Sequence, residues 1–284
     1  MKLYINSNLK VKKIEKFFSL KISHKLIRGL VCSKGGRNNQ GKITLRFKGG
    51  RHPRCFHLLD FKKILWNISG IIVRFDYDSL RTSLLSLICF SNGILSYNLG
   101  IQGQRLGDCI SIGLLNNRFL NLKKGDSSLL LNLVDGFFIS NIELYPLKGS
   151  TIVRAAGTVA QLIKLYYNKS KYALIKLPSK EERLFSVNCL VTIGQICNIN
   201  HFLIKFDCAG ISRHLGQKSK VRGVAMNPID HPHGGGQGKT SGAGGQRSQV
   251  TFKGKVAKGQ KTRSNLKFNT YILVSRNKLN YLKS

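Results

Sequence analysis

Asp230, His231 and His233 form the densest group of chemically able side chains, in Asp230-His231-Pro232-His233. A carboxylate and two imidazoles could ligate a metal. Zinc, however, needs three or four ligands and an orienting second layer, and the nearest further histidine is His214. An imidazole could also serve a nuclease as general base. The following Gly234-Gly235-Gly236-Gln237-Gly238-Lys239-Thr240 imitates a phosphate-binding loop. That motif needs glycine where His233 stands, a strand before it and a helix after it. Pro228 and Pro232 precede it instead, and Ser241-Gly242-Ala243-Gly244-Gly245 follow. Nucleotide hydrolysis is thereby excluded. The favoured reading is that Asp230, His231 and His233 orient a glycine-rich loop against RNA through hydrogen bonds and stacking. No metal and no cofactor are expected.

Two further runs put cations on glycine-rich backbone. They are Lys34-Gly35-Gly36-Arg37-Asn38-Asn39-Gln40-Gly41-Lys42 and Lys48-Gly49-Gly50-Arg51-His52-Pro53-Arg54. Glycine lets backbone approach phosphates closely, and Arg and Asn bridge phosphates and base edges. One such run is often only a solvated loop. Three in one chain point to nucleic acid.

The charge supports this reading. The 284 residues carry 47 Lys and Arg against 12 Asp and Glu, a net charge of +35. Self-repulsion at that charge opposes compaction, so a polyanion must neutralise it. No run of 18 apolar residues offers a transmembrane helix. Residues 1–66 are net +15, 67–146 net zero, 147–208 net +6 and 209–284 net +14. A folded centre with basic extensions follows. Seven cysteines, an odd number without a CxxC, argue for reduced thiols and against a disulfide framework.

The centre reads as β. Apolar, β-branched and aromatic runs occur at 71–77, 83–90, 94–97 and 108–113, and Asn92-Gly93 is a hairpin signal. The apolar stretch 127–147, broken by Asp and Gly, also reads as strands and turns. A second series follows at 152–154, 158–163, 172–177, 183–187 and 190–194. Many short strands at regular spacing suggest two small barrels, divided near Tyr145-Pro146-Leu147-Lys148-Gly149. Ile14, Phe17, Phe18 and Ile22 have helical spacing, which predicts a short helix around 12–22. Residues 213–263 cannot bury enough apolar surface to offset their ordering entropy, so a partner must give them a fixed shape.

Arg222-Gly223-Val224-Ala225-Met226-Asn227-Pro228-Ile229-Asp230-His231-Pro232-His233-Gly234-Gly235-Gly236 resembles, nearly letter for letter, the signature of the family of universal large-subunit ribosomal protein two. Gly36–Thr44, Leu59-Asp60-Phe61-Lys62, Val153–Thr158 and Lys258–Arg263 resemble the same family in the same order. The resemblance covers about residues 34–276. It implies an all-β fold, an OB-fold barrel followed by an SH3-like barrel, with long irregular basic extensions threading into ribosomal RNA. The expected division is a basic N-terminal extension with a short helix at 1–58, an OB-fold-like barrel at 59–146, an SH3-like barrel at 147–212 and an RNA-threading extension at 213–284.

The function implied is that of a structural constituent of the large ribosomal subunit. It binds ribosomal RNA, supports the peptidyl-transferase region and subunit association, touches neighbouring ribosomal proteins, and performs no catalysis. Two rival readings, an RNA-processing enzyme using His231 and His233 and a non-ribosomal nucleic-acid module, lack the collinear motifs. The implied RNA contacts begin with Arg37, Asn38, Asn39 and Lys42, then Arg51, His52 and Arg54, then Lys62, Lys63 and Arg154. They continue with Arg222, Asn227, Asp230, His231 and His233, then Lys239 and Arg247, and end with Lys253, Lys255, Lys258, Lys261 and Arg263. His231 is the histidine the family implicates. Phe252 stands where the family usually has Trp and is expected to take over its stacking.

Residue usage is skewed toward AT-rich codons. Phe, Tyr, Met, Ile, Asn and Lys total 104, against 58 for Gly, Ala, Arg and Pro. The basic N-terminus is Lys-rich and not Arg-rich, unlike an import presequence. A protein encoded and used inside an organelle is expected, a mitochondrion ahead of a plastid, with an AT-rich bacterium as the alternative.

Overall fold

The computed structural model describes residues 26–113, 122–166, 171–238, 249–259 and 270–276. The helix expected around 12–22 lies outside them. Two compact units emerge. One contains described residues 26–31, 53–205 and 270–276, and the other 32–52, 206–238 and 249–259.

The first unit is all-β, as expected, with an OB-fold-like system followed by an SH3-like one. A two-stranded ladder joins β1 (Ile27–Val31) to β2 (Arg54–His57). The first large sheet holds β3 (Ser69–Asp76), β4 (Leu85–Phe90), β5 (Leu95–Leu99) and β6 (Cys109–Ser111), in the order β5-β4-β3-β6. Period-2 alternation turns Ile72, Arg74 and Asp76 of β3 inward and leaves Ile71 and Val73 exposed. The Asn92-Gly93 turn forms as the sequence predicts. Gly93 takes φ 78°, and the Ile94 N–H donates to Asn92 Oδ1 at 3.1 Å.

The later strands are β7 (Ser127–Leu129), β8 (Phe138–Ser140), β9 (Ile142–Glu143), β10 (Ser150–Ile152), β11 (Ala160–Tyr166), β12 (Tyr172–Lys176), β13 (Glu182–Ser186), β14 (Leu190–Ile193) and β15 (Ile272–Val274). Seven of them form one sheet, β15-β13-β12-β11-β8-β14-β7. Its core holds Leu130, Ile139, Leu162, Ile175, Phe185 and Val191, each almost fully buried.

The expected division at 146/147 needs correction. β7 and β8 precede it yet pair with β14 in the second sheet. Tyr145–Gly149 is no linker but the turn between β9 and β10, which pair with each other. Glu143, 2% exposed, fixes that turn. Its carboxylate accepts the backbone N–H groups of Leu147, Gly149 and Leu190 at 3.2, 2.8 and 3.0 Å. Three donors to one buried carboxylate satisfy a charge that would otherwise be costly there.

Candidate nucleic-acid interface

The second unit is built from the two glycine-rich, basic parts of the chain, which fold together. Asn38 shapes its first loop: Oδ1 accepts from the N–H groups of Gln40 and Lys42 at 3.0 and 2.9 Å. This Asx-type turn engages Asn38 Oδ1 and leaves Arg37, Asn39 and Lys42 exposed. Gly36 has φ 74°, and its carbonyl accepts from Thr44 and Leu45 at 3.0 and 3.1 Å. A Cβ at Gly36 would lie 2.1 Å from the Leu45 carbonyl oxygen, so only glycine closes this loop.

Backbone bonds then tie the loop to the C-terminal segment. Gly49 donates to the Gly216 carbonyl at 2.9 Å, and Lys218 to that of Phe47 at 3.0 Å. Gly216 follows the short helix α1 (Ala209–His214), and the Arg51 side chain packs against it. His52 is exposed. Beyond α1, the described part of 213–263 consists largely of turns, with one 3-10 turn at Gly223–Ala225.

The loop Arg222–Gly236 folds on itself. The Asp230 N–H donates to the Asn227 carbonyl at 3.0 Å, with Pro228 at the second turn position. The His231 ring lies over Gly223, where a Cβ would come within 2.6 Å of it. The His233 N–H donates to His231 Nδ1 at 3.0 Å, and the Val250 N–H donates to His233 Nε2 at 3.1 Å. The two rings meet edge-on at 4.9 Å. An accepting ring nitrogen carries no proton, so each imidazole uses one nitrogen to shape the loop. Among the described residues, no hydrogen bond engages His231 Nε2. Arg222, Asn227 and Asp230 are exposed around it.

A second small loop carries Lys253, Lys255 and Lys258, all exposed. Val250 bridges Val256, and the Thr251 N–H donates to the Lys255 carbonyl at 2.7 Å. Phe252 sits under the Arg46 guanidinium at 4.0 Å. One of its faces is thus engaged by a cation. Lys239, Arg247, Lys261 and Arg263 lie outside the described residues.

Arg54, Lys62, Lys63 and Arg154 belong to the other unit. Lys62 is exposed. Arg54 Nη1 donates to the Ser79 carbonyl at 2.7 Å. Arg154 and Arg81 both lie over Phe61, at 4.8 and 5.1 Å. Lys63 requires correction as an RNA contact. It is 2% exposed, and burial pushes its pKa down to about 8 against the opposing pull of Asp60. Asn98, its amide oriented to satisfy its neighbours, accepts from Lys63 Nζ at 3.2 Å. An ammonium in that position cannot reach a phosphate.

Sequence reasoning missed Arg46 and Lys218. Neither belongs to one of the quoted glycine-rich runs; closure of the 36–45 loop brings Arg46 to the cleft that Arg37 lines, and only the pairing of distant segments brings Lys218 there. Among the described residues, all seven cysteines are free, and no three His, Cys, Asp or Glu converge to hold a metal. No helix among those residues is long and apolar enough to cross a membrane.

Comparison with known proteins agrees with the motifs. Residues 23–112 match the family model described as Ribosomal Proteins L2, RNA binding N-terminal domain. Residues 123–254 match Ribosomal Proteins L2, C-terminal domain. The large ribosomal subunit protein uL2 of Bartonella bacilliformis is 44% identical over 251 residues, covering 88% of this chain and 87% of that protein. The uL2 proteins of Rhodopseudomonas palustris and Brucella ovis are 42% and 43% identical, covering 87% and 88% of this chain and 85% and 87% of theirs. With both domain models matched in order, and relatives aligned over most of its length, the chain belongs to the ribosomal protein L2 family.

Proposed function

We propose that this chain is a structural constituent of the large ribosomal subunit that binds its ribosomal RNA mainly through the unit whose described residues are 32–52, 206–238 and 249–259. Membership of a family of ribosomal proteins makes it a non-enzymatic component. The observation that carries the reading is the joining of both glycine-rich basic segments in one unit, with Arg37, Lys42, Arg222, Lys253, Lys255 and Lys258 all exposed. Cations held on a backbone too poor in apolar side chains for a core are stabilised by phosphates.

In this reading the Asp230–His233 loop positions RNA of the peptidyl-transferase region and transfers no proton. Supporting this, His231 Nδ1 and His233 Nε2 are already engaged with backbone N–H groups. Arg54, Lys62 and Arg154 supply further RNA contacts from the first unit. The exposed Ile71, Val73 and Tyr77 of the net-neutral centre suit neighbouring ribosomal proteins better than phosphates. A contribution to subunit association, with a small-subunit bridge contact, completes the role. The skewed residue usage supports a mitochondrial ribosome, with a plastid or a bacterium as the alternative.

The test is sedimentation of tagged chain from its own cells. The chain should travel with large subunits and stay bound until high salt. Recovery at the top of the gradient would overturn the proposal.

A further inference from the structure

One acid is out of place. Residues 209–284 hold 15 Lys and Arg and a single acid, Asp230. A carboxylate facing RNA repels phosphates, so it weakens the binding that the rest of the segment provides. Among the described residues Asp230 forms no ion pair with a neighbouring cation. Its surroundings suggest a different partner.

Asp230 lines a cleft of about 580 Å³ that lies wholly within the second unit. Arg37, Arg46, Lys48 and Lys218 supply cations to this cleft. Phe47 and Met226 give it half-buried apolar surface. Asn227 and Asp230 line it together, as first and last residues of the turn closed by the Asp230 N–H. The walls are tied by backbone bonds, Lys218 to Phe47 at 3.0 Å and Gly49 to Gly216 at 2.9 Å. The volume falls in the range of pockets that take small ligands. Cations for a phosphate, apolar surface for a flat ring, and an amide and carboxylate for a polar edge match one unpaired nucleotide turned out of its stack.

The carboxylate selects among bases. It accepts hydrogen bonds and cannot donate them. Guanine presents two adjacent donors on its Watson–Crick edge, N1–H and the N2 amino group. These match the two oxygens of one carboxylate. Adenine and cytosine each present one amino donor beside an acceptor, and uracil one N–H between two carbonyls. We infer that this cleft reads a single unpaired guanine nucleotide, with Asp230 accepting from its N1 and N2 donors and the four cations holding its phosphates. The inference rests on the RNA-binding reading above and adds a base specificity to it.

The test uses the full chain and labelled single-stranded pentamers, UUGUU and UUIUU, at salt that suppresses the general phosphate term. Inosine keeps N1–H and lacks the N2 amino group, so the two probes differ only at the proposed contact. Guanine should bind about tenfold more tightly than inosine, within the range of a two-point base contact. In Asp230→Asn that ratio should fall to about one, while binding to inosine improves or holds. Equal affinities for both pentamers in the wild-type chain would overturn the guanine reading and leave RNA binding standing. A ratio preserved in Asp230→Asn would overturn the role of Asp230. Failure to bind either pentamer or large-subunit RNA at low salt would overturn the RNA-binding reading itself. Because the decisive change is made in the RNA, a folding defect in the variant cannot mimic it.

Discussion

Replacing Lys63 by methionine should stabilise the first unit at neutral pH. The Lys63 ammonium is 2% exposed, and burial pushes its pKa from 10.5 to about 8, with Asp60 opposing. At about 1.36 kcal/mol per unit, that displacement corresponds to about 3 kcal/mol. Between about pH 8 and 10.5 the unfolded chain binds a proton that the folded chain has released, so stability rises with pH across this window. Below pH 8 both states are protonated and the folded state carries the whole burial cost. Cys189 and Tyr97 act in the opposite sense. Burial, aided by Glu143 for the thiol and by the Asp76 bond for the phenol, pushes both up to about 12. They therefore lower stability above about pH 9 and 10.

Comparing wild type with Lys63→Met cancels those two terms. Methionine keeps an unbranched chain and meets the same backbone conformation, φ 54°. The variant should be more stable by up to about 3 kcal/mol at pH 7, less about 1 kcal/mol for the lost bond to Asn98. The margin should shrink steadily to pH 10.5. Urea unfolding followed by Trp66 reads this directly, because Trp66 is the only tryptophan and packs against Gly113 near β6. Parallel pH profiles for the two proteins, or a variant several kcal/mol weaker at pH 7, would refute the reasoning.

Three other outcomes are expected. Neutralising Lys253, Lys255 and Lys258 should reduce the slope of log affinity for ribosomal RNA against log salt by about two, more than neutralising the exposed Lys176 and Lys180. Equal slopes would count against the charge map, and Arg74 is unsuitable as a control because it is buried against Asp76. In fully assembled particles, His231→Gln should slow single-turnover peptide-bond formation by less than about tenfold while impairing assembly or substrate placement. A loss beyond about a hundredfold, with disappearance of a titration in the histidine range, would restore proton transfer. A thiol reagent should label the exposed Cys32, Cys55, Cys109 and Cys208 in the native chain and reach Cys189 only on unfolding. Prompt labelling of Cys189 would contradict its burial.

Local patterns in the sequence carried far. The strands β3, β4, β5 and β11 to β14 sit where alternation and β-branched residues put them, and Asn92-Gly93 makes its turn. Long-range pairing was not legible. β2 contains Arg54 and Cys55 and looks like part of a basic tail, yet it pairs with β1 across the glycine-rich loop. β15 joins β13 from far along the chain, and no local period records such a partner. Glu143 looks like one more acid on a strand, although its three backbone bonds hold the turn that seemed to be a linker. The Asp230–His233 loop was recognisable from residue types and resemblance. Its internal bonding turns on how the two rings are oriented, which residue types alone do not fix, and the cleft that Arg46 and Lys218 complete depends on contacts between segments about 170 residues apart.

Ultraviolet crosslinking of intact large subunits, with the crosslinked residues identified by mass spectrometry, tests the central claim most directly. RNA adducts should concentrate in 32–52 and 206–259, with Lys253, Lys255 or Lys258 among them, and should be sparse over the net-neutral 67–146. Adducts spread evenly along the chain, or concentrated in 67–146, would contradict the account.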